Sequence, residues 1–128
     1  MGAYITCNQL TISSEKVLPA YQAVLKLSAE LELGLDAVGS SLQDVFRHIG
    51  YPFNVDGDGN IDLSGNFRGK IHPQEEAIWK ALTPFVEPGG NIIYDDDNDD
   101  ERKKLVFDNG KVYFQAEYRK WNELTELK

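Results

Sequence analysis

The stretch NIIYDDDNDDERKKLVFDNGKVYFQAEY, residues 91–118, decides the fold of this chain. It contains two runs of β-branched and aromatic residues on either side of Asn109-Gly110, a dipeptide that tolerates the positive φ angles of a type I′ hairpin turn. A shorter run of the same kind precedes them. The pattern predicts a three-stranded antiparallel meander near the C-terminus, with strands near Asn91–Tyr94, Lys103–Phe107 and Lys111–Tyr118.

The residues before the meander supply one more strand and three helices. β-forming residues predict a strand near Tyr4–Ile12 that pairs with the meander. The polar, glycine-rich stretch Phe53–Ile71 predicts a loop leading into one or two short strands. Amphipathic spacing predicts helices near Pro19–Leu33, Ser41–Ile49 and Pro73–Thr83. Together these elements predict a single α+β domain over residues 1–128, with a mostly antiparallel sheet and about three helices packed on one face.

The helix boundaries follow from residues that cap or interrupt a helix. Pro19 suits a first helical position, because the N–H that proline lacks would have no partner there. Gly34 suits the left-handed residue that ends this first helix. For the second helix, Ser40 and Gln43 have the spacing of a capping box, so we expect them to satisfy the first backbone donors.

The composition excludes several classes of protein. The chain has 128 residues, a formal net charge of −8 and a single cysteine, Cys7. Such an acidic chain is unsuited to binding nucleic acid, because phosphate contacts require Lys and Arg. One cysteine permits neither an internal disulfide nor a zinc site built on Cys-x-x-Cys. With no signal peptide and no apolar run of the ~20 residues that cross a membrane, we expect a cytoplasmic protein, and the sequence leaves its oligomeric state open.

The segment NVDGDGNID, residues 54–62, resembles the first nine positions of an EF-hand calcium loop. The pattern departs from an EF-hand at Gly65, which replaces the bidentate glutamate of position twelve, and at Gly50 and Pro52, which interrupt the preceding helix. The resemblance implies weak calcium binding, and the alternative is an ordinary polar turn. The residues that the resemblance assigns as ligands are Asn54, Asp56, Asp58, Asn60 and Asp62.

Six carboxylates occur within seven residues in the connection between the first two strands of the meander. Carboxylates along a rigid hairpin can imitate a row of phosphates and pair with Arg or Lys of a basic protein. The alternative is a solvated connection whose charge prevents edge-to-edge aggregation. Tyr94, Tyr113 and Trp121 are candidates for an aromatic anchor, because charge alone seldom gives tight binding. The acidic residues are Asp95, Asp96, Asp97, Asp99, Asp100 and Glu101.

No enzyme signature occurs in the sequence, which lacks Gly-x-Ser-x-Gly, His-Glu-x-x-His and a phosphate-binding glycine loop. His48 and His72 are the only histidines, and no pattern places either beside Cys7, so we expect a buried, inert thiol. We therefore predict a non-enzymatic, acidic binding or inhibitor module that docks on a basic protein, in the manner of immunity proteins or phage-encoded inhibitors. The alternatives are a calcium-binding domain, for which calcium would be the one cofactor, and a metal-assisted hydrolase that uses the same acidic loops.

Overall fold

The computed structural model describes residues 3–96 and 101–118 of the chain. The helices are α1 (Ser14–Leu31), α2 (Leu42–Ile49) and α3 (Glu75–Leu82), and 3₁₀ turns at Leu35–Ala37 and Thr83–Phe85 follow α1 and α3. The strands are β1 (Ala3–Asn8), β2 (Thr11–Ile12), β3 (Asn54–Val55), β4 (Ile61–Asp62), β5 (Gly65–Gly69), β6 (Asn91–Asp96), β7 (Glu101–Asp108) and β8 (Lys111–Tyr118).

The main sheet has five antiparallel strands in the order β5-β1-β6-β7-β8. The predicted meander is confirmed, because β6 pairs with β7 and β7 pairs with β8. Asn109 and Gly110 have φ angles of 51° and 72°, the positive values that a type I′ turn requires. The predicted pairing of the N-terminal strand with the meander is also confirmed, since β1 lies beside β6.

The helices pack on one face of this sheet, as the sequence predicts for an α+β domain. Strand alternation directs Ile5, Ile92 and Phe107 into the core against the helices, and all three are buried. Tyr4 and Tyr113 lie on the opposite face of the sheet and are exposed. Within the part of the chain that the structure describes, no helix combines the length and the apolar character needed to cross a membrane.

The predicted strand Tyr4–Ile12 is wrong in its length, because the chain leaves the main sheet at Gln9. Gln9 takes a positive φ of 51°, and β2 then joins a second sheet in the order β2-β4-β3. Leu10 and Ile12, which flank the first residue of β2, are both fully buried. The break thus keeps the apolar residues of this segment inside the core. It also explains the imperfect alternation in the sequence.

The stretch Phe53–Ile71 contains three strands rather than one or two. β3 and β4 form a short hairpin, and β5 becomes an edge strand of the main sheet beside β1. β5 has only a weak signal in the sequence, because Gly65–Gly69 contains only one large apolar residue, Phe67, which packs partly buried against the core. Pairing with β1 supplies the backbone hydrogen bonds that propensity alone would not predict.

The first helix begins at Ser14 instead of Pro19. The backbone N–H of Ser14 donates to Oδ1 of Asn60 at 2.8 Å, so a distant loop satisfies a donor that would otherwise lack a partner. Pro19 therefore lies inside the helix, where a proline removes one backbone hydrogen bond. At the other end, Glu32 takes the left-handed conformation with φ 54°, and Gly34, with φ 70°, precedes the next 3₁₀ turn.

The second helix is confirmed within one residue, but its predicted capping pair is wrong. Leu42 is the first helical residue, and its side chain is buried in the core. The residue before it, Ser41, is therefore the N-cap. The Ser41 hydroxyl accepts a hydrogen bond from the N–H of Asp44 at 3.3 Å. In return, Oδ2 of Asp44 accepts one from the N–H of Ser40 at 3.0 Å. The third helix is shorter than predicted and continues as the 3₁₀ turn after α3.

Candidate functional site

The acidic run predicted as a docking surface starts at the end of a paired hairpin. β6 and β7 remain in register up to Asp95 opposite Arg102. Asp96 ends β6, and Glu101 begins β7. Asp97, Asp99 and Asp100 lie outside the described residues. The run therefore starts and ends on strands of the main sheet, whose pairing fixes the positions of its two ends.

Asp95 has an exposed aromatic neighbour, Tyr4, that lies far from it in the sequence. The register places Tyr4 of β1 opposite Asp95 of β6 and also opposite Arg68 of β5. The Tyr4 side chain is 41% exposed, and the guanidinium carbon of Arg68 lies 5.9 Å from the centre of its ring. With Arg102 on β7, these residues form a cross-strand row of alternating charge on the sheet face opposite the helices.

Tyr94, the aromatic residue next to the acidic run in sequence, belongs to the core and is not an exposed anchor. Successive strand residues point to opposite faces, so Tyr94 faces the helices while Asp95 faces away. Tyr94 is only 7% exposed, and its hydroxyl donates to Oε2 of Glu75 at 2.7 Å. Tyr113 is 50% exposed but pairs with Val106, towards the opposite end of the strands from the acidic run. Trp121 lies outside the described residues.

Tyr94 is part of a buried polar cluster around the carboxylate of Glu75, which is 2% exposed. Tyr51 donates to the same Oε2 atom at 2.6 Å, and the backbone N–H of His72 donates to Oε1 at 2.9 Å. Burial raises the pKa of both phenols above their usual range, so each hydroxyl keeps the proton that it donates. This cluster joins α3 to the sheet and satisfies a buried acid that composition alone does not reveal.

In the loop that resembles an EF-hand, the carboxylates of Asp56 and Asp62 accept hydrogen bonds from neighbouring residues. Oδ1 of Asp56 accepts from the N–H groups of Asp58 and Asn60 at 2.9 and 3.0 Å, and Oδ2 accepts from the Asn60 side chain at 2.9 Å. The side-chain bond from Asn60, with these backbone bonds, lowers the pKa of Asp56. Asn54 pairs with Asp62 between β3 and β4, and Oδ1 of Asp62 accepts from the N–H of Ser64. The geometry is that of a polar turn that also caps α1 through Asn60.

The described residues offer no assembly of three metal-ligating side chains. Across residues 3–96 and 101–118, no group of three His, Cys, Asp or Glu side chains is placed to hold an ion. Burial, and then the charge of Glu75, raises the pKa of the Cys7 thiol to about 12. A thiol with such a pKa stays protonated at neutral pH and is therefore a poor nucleophile. The rings of His48 and His72 lie against each other in a tilted arrangement, with ring centres 4.8 Å apart.

The sequence contained part of the signal that identifies Tyr4. Alternation within β6 predicts that Tyr94 and Asp95 face opposite sides, and a strand near Tyr4 was expected to pair with the meander. The missing information was the register between β1 and β6, which joins residues far apart in the chain. Comparisons of the chain with protein-family models, with curated proteins and with solved structures found no match.

Proposed function

We propose that this protein binds a basic protein partner through its acidic hairpin, defined here as residues 95–101, and acts as an inhibitor or regulator of that partner. The observation that supports this proposal most strongly is the pairing of Asp95 with the exposed Tyr4 at the end of a rigid sheet. The site combines concentrated negative charge with an accessible aromatic ring. Both features are typical of surfaces that recognise Arg- and Lys-rich proteins.

The charge of the hairpin would act mainly on the rate of association. Six carboxylates in seven residues, within a chain of net charge −8, produce a negative field that attracts a basic surface before contact. Salt shortens the range of this field from about 10 Å at 0.1 M to about 3 Å at 1 M. Association with the partner should therefore slow as the salt concentration rises.

Tyr4 would act mainly on the rate of dissociation. An exposed tyrosine can bury a large, rigid surface in the partner at a low cost in side-chain entropy. The guanidinium of Arg68 near its ring limits the positions that the tyrosine side chain adopts before binding. The cross-strand position beside Asp95 would bring the aromatic contact and the ion pairs into one interface.

The proposal is tested by capturing partners from an extract of the source cell with three forms of the protein. One form carries Asp97→Asn, Asp99→Asn and Asp100→Asn in the hairpin. A matched control carries Glu30→Gln, Asp36→Asn and Asp58→Asn, which remove the same number of carboxylates at exposed positions on other elements. We expect a basic partner with the wild type and the control, and an association rate constant about tenfold lower for the hairpin variant.

Two further variants separate the aromatic contact from the charge. Tyr4→Ser should raise the dissociation rate constant of the captured complex by about tenfold or more, whereas Tyr113→Ser, at a residue of similar exposure, should change it little. Recovery of the same partners by the hairpin variant, at unchanged rates and without dependence on salt, would show that the acidic run is only a solvated connection. Recovery of no basic partner by the wild type would refute the proposal.

A further inference from the structure

The outer edge of β8 is an unusual feature of the main sheet, and it is separate from the acidic hairpin. β8 is the last strand in the order and has eight residues, and no described strand pairs with its outer side. Phe114 and Tyr113 on this strand are 62% and 50% exposed. A long edge strand that carries large apolar residues and no proline is a template for pairing with another chain.

The backbone groups on this edge are arranged for antiparallel pairing. The two-residue turn makes Asp108 and Lys111 the pair that closes the hairpin. The two residues of such a pair form hydrogen bonds with each other inside the hairpin. From there, the backbone N–H and C=O groups of successive residues point alternately towards β7 and towards the outer edge of β8. The N–H and C=O groups of Val112, Phe114 and Ala116 are therefore directed to the outer edge.

We propose that β8 pairs antiparallel with β8 of a second copy of this chain, about a two-fold axis at Phe114. In this register Phe114 meets its own copy, Val112 meets Ala116, and Tyr113 meets Gln115. Lys111 meets Glu117, so residues of opposite charge are paired at both ends of the contact. A sequence that complements itself about one residue favours a second copy over an unrelated strand, because a two-fold contact uses the same patch twice.

The side chains near the two-fold axis also favour pairing with a second copy of this chain. Phe114 and Leu105 line an apolar groove between the sheet and the start of α3, together with Ile71 and Pro73. Residues opposite each other in an antiparallel pair point to the same side of a sheet, so the two Phe114 rings would meet on the side of this groove. Pairing would thereby cover apolar surface that the described part of one chain leaves exposed, and would join two five-stranded sheets.

Disulfide trapping tests this register directly. In a hydrogen-bonded antiparallel pair the facing Cα atoms lie about 5.5 Å apart, which is within the range of a disulfide. Phe114→Cys should therefore form a covalent dimer rapidly under mild oxidation with diamide. Leu18→Cys is the matched control, since Leu18 has the same 62% exposure on α1. The native Cys7 is buried and its thiol has a raised pKa, so it should not contribute.

Two measurements without cross-linking complete the test, one on the wild-type chain and one on charge variants. Light scattering of the wild-type chain should show a dimer whose population rises with protein concentration. Lys111→Glu or Glu117→Lys alone should weaken the dimer about three- to tenfold, and the double variant should restore it. A wild-type chain that stays monomeric at all concentrations would overturn the proposal. So would equal cross-linking of the two cysteine variants, or a double variant that is no better than the single ones.

Discussion

Removal of the Tyr51 hydroxyl should destabilise this protein far more than the size of the change suggests. Tyr51→Phe deletes the 2.6 Å hydrogen bond to Glu75 and leaves a buried carboxylate with two of its three observed donors. The ring contacts with Phe67 and Trp79, at centroid distances of 5.0 and 5.2 Å, can remain. The loss is therefore confined to the contacts of the hydroxyl, which are the bond to Glu75 and the 3.1 Å contact with the Tyr94 hydroxyl.

The expected magnitude follows from the charge and burial of the acceptor. A hydrogen bond to a charged group contributes about 1.5–3 kcal/mol, and the loss is greatest where water cannot replace the donor. Because Glu75 is 2% exposed, we expect Tyr51→Phe to lower the free energy of unfolding by about 2–3 kcal/mol. This loss is a large part of the total free energy of unfolding, which is about 5–15 kcal/mol for a typical domain.

Urea unfolding followed by tryptophan fluorescence measures this loss, with Tyr21→Phe as the matched control. The Tyr21 hydroxyl donates to the carbonyl of Gly39 at 3.1 Å in an exposed position, so its removal should cost less than about 1 kcal/mol. A loss for Tyr51→Phe no larger than that for Tyr21→Phe would refute the role of the buried cluster.

Three further predictions follow from the same structure. The raised pKa values of Cys7, Tyr51 and Tyr94 mean that the unfolded chain loses protons above about pH 9 that the folded chain retains. The contribution of these three groups to the free energy of unfolding should therefore be constant below that pH and then fall by up to about 1.4 kcal/mol per pH unit for each group. Urea unfolding at each pH checks this, and the fall above pH ~10 should be shallower in Tyr51→Phe. Ser41→Ala removes the N-cap of α2 and should cost about 1 kcal/mol in urea unfolding, and an unchanged midpoint would contradict this. Gly90→Ala places a Cβ atom 2.9 Å from the carbonyl oxygen of Gln9 and should lower the free energy of unfolding by about 1–3 kcal/mol, whereas Gly57→Ala meets no atom within 4 Å and should change it little by the same assay.

The features that the sequence predicted well depend on neighbours in the chain. The turn at Asn109-Gly110 fixes the register of β7 and β8 through local backbone conformation, so both strands could be placed from composition and spacing. The same is true of the position of α2, whose apolar spacing lies within one short segment. Such signals need no knowledge of the rest of the fold.

The features that the sequence missed depend on contacts between distant segments. Asn60 moves the start of α1 to Ser14, and no local pattern around Pro19 indicates this contact. Tyr4 becomes part of the candidate site only through the register of β1 with β6. The burial of Glu75 likewise depends on Tyr51, contributed by a separate part of the chain. Tertiary context decides all three outcomes.

The most direct test of the proposed function is to map the surface that the captured partner covers. Nitrogen-15 NMR spectra of the labelled protein, recorded while unlabelled partner is added, report which backbone amides change their environment. We expect the largest changes at Tyr4, Asp95 and residues 97–101, and we expect these changes to weaken as salt is added. Changes centred on residues 54–62 or on Tyr113, with Tyr4 and Asp95 unaffected, would contradict binding through the acidic hairpin.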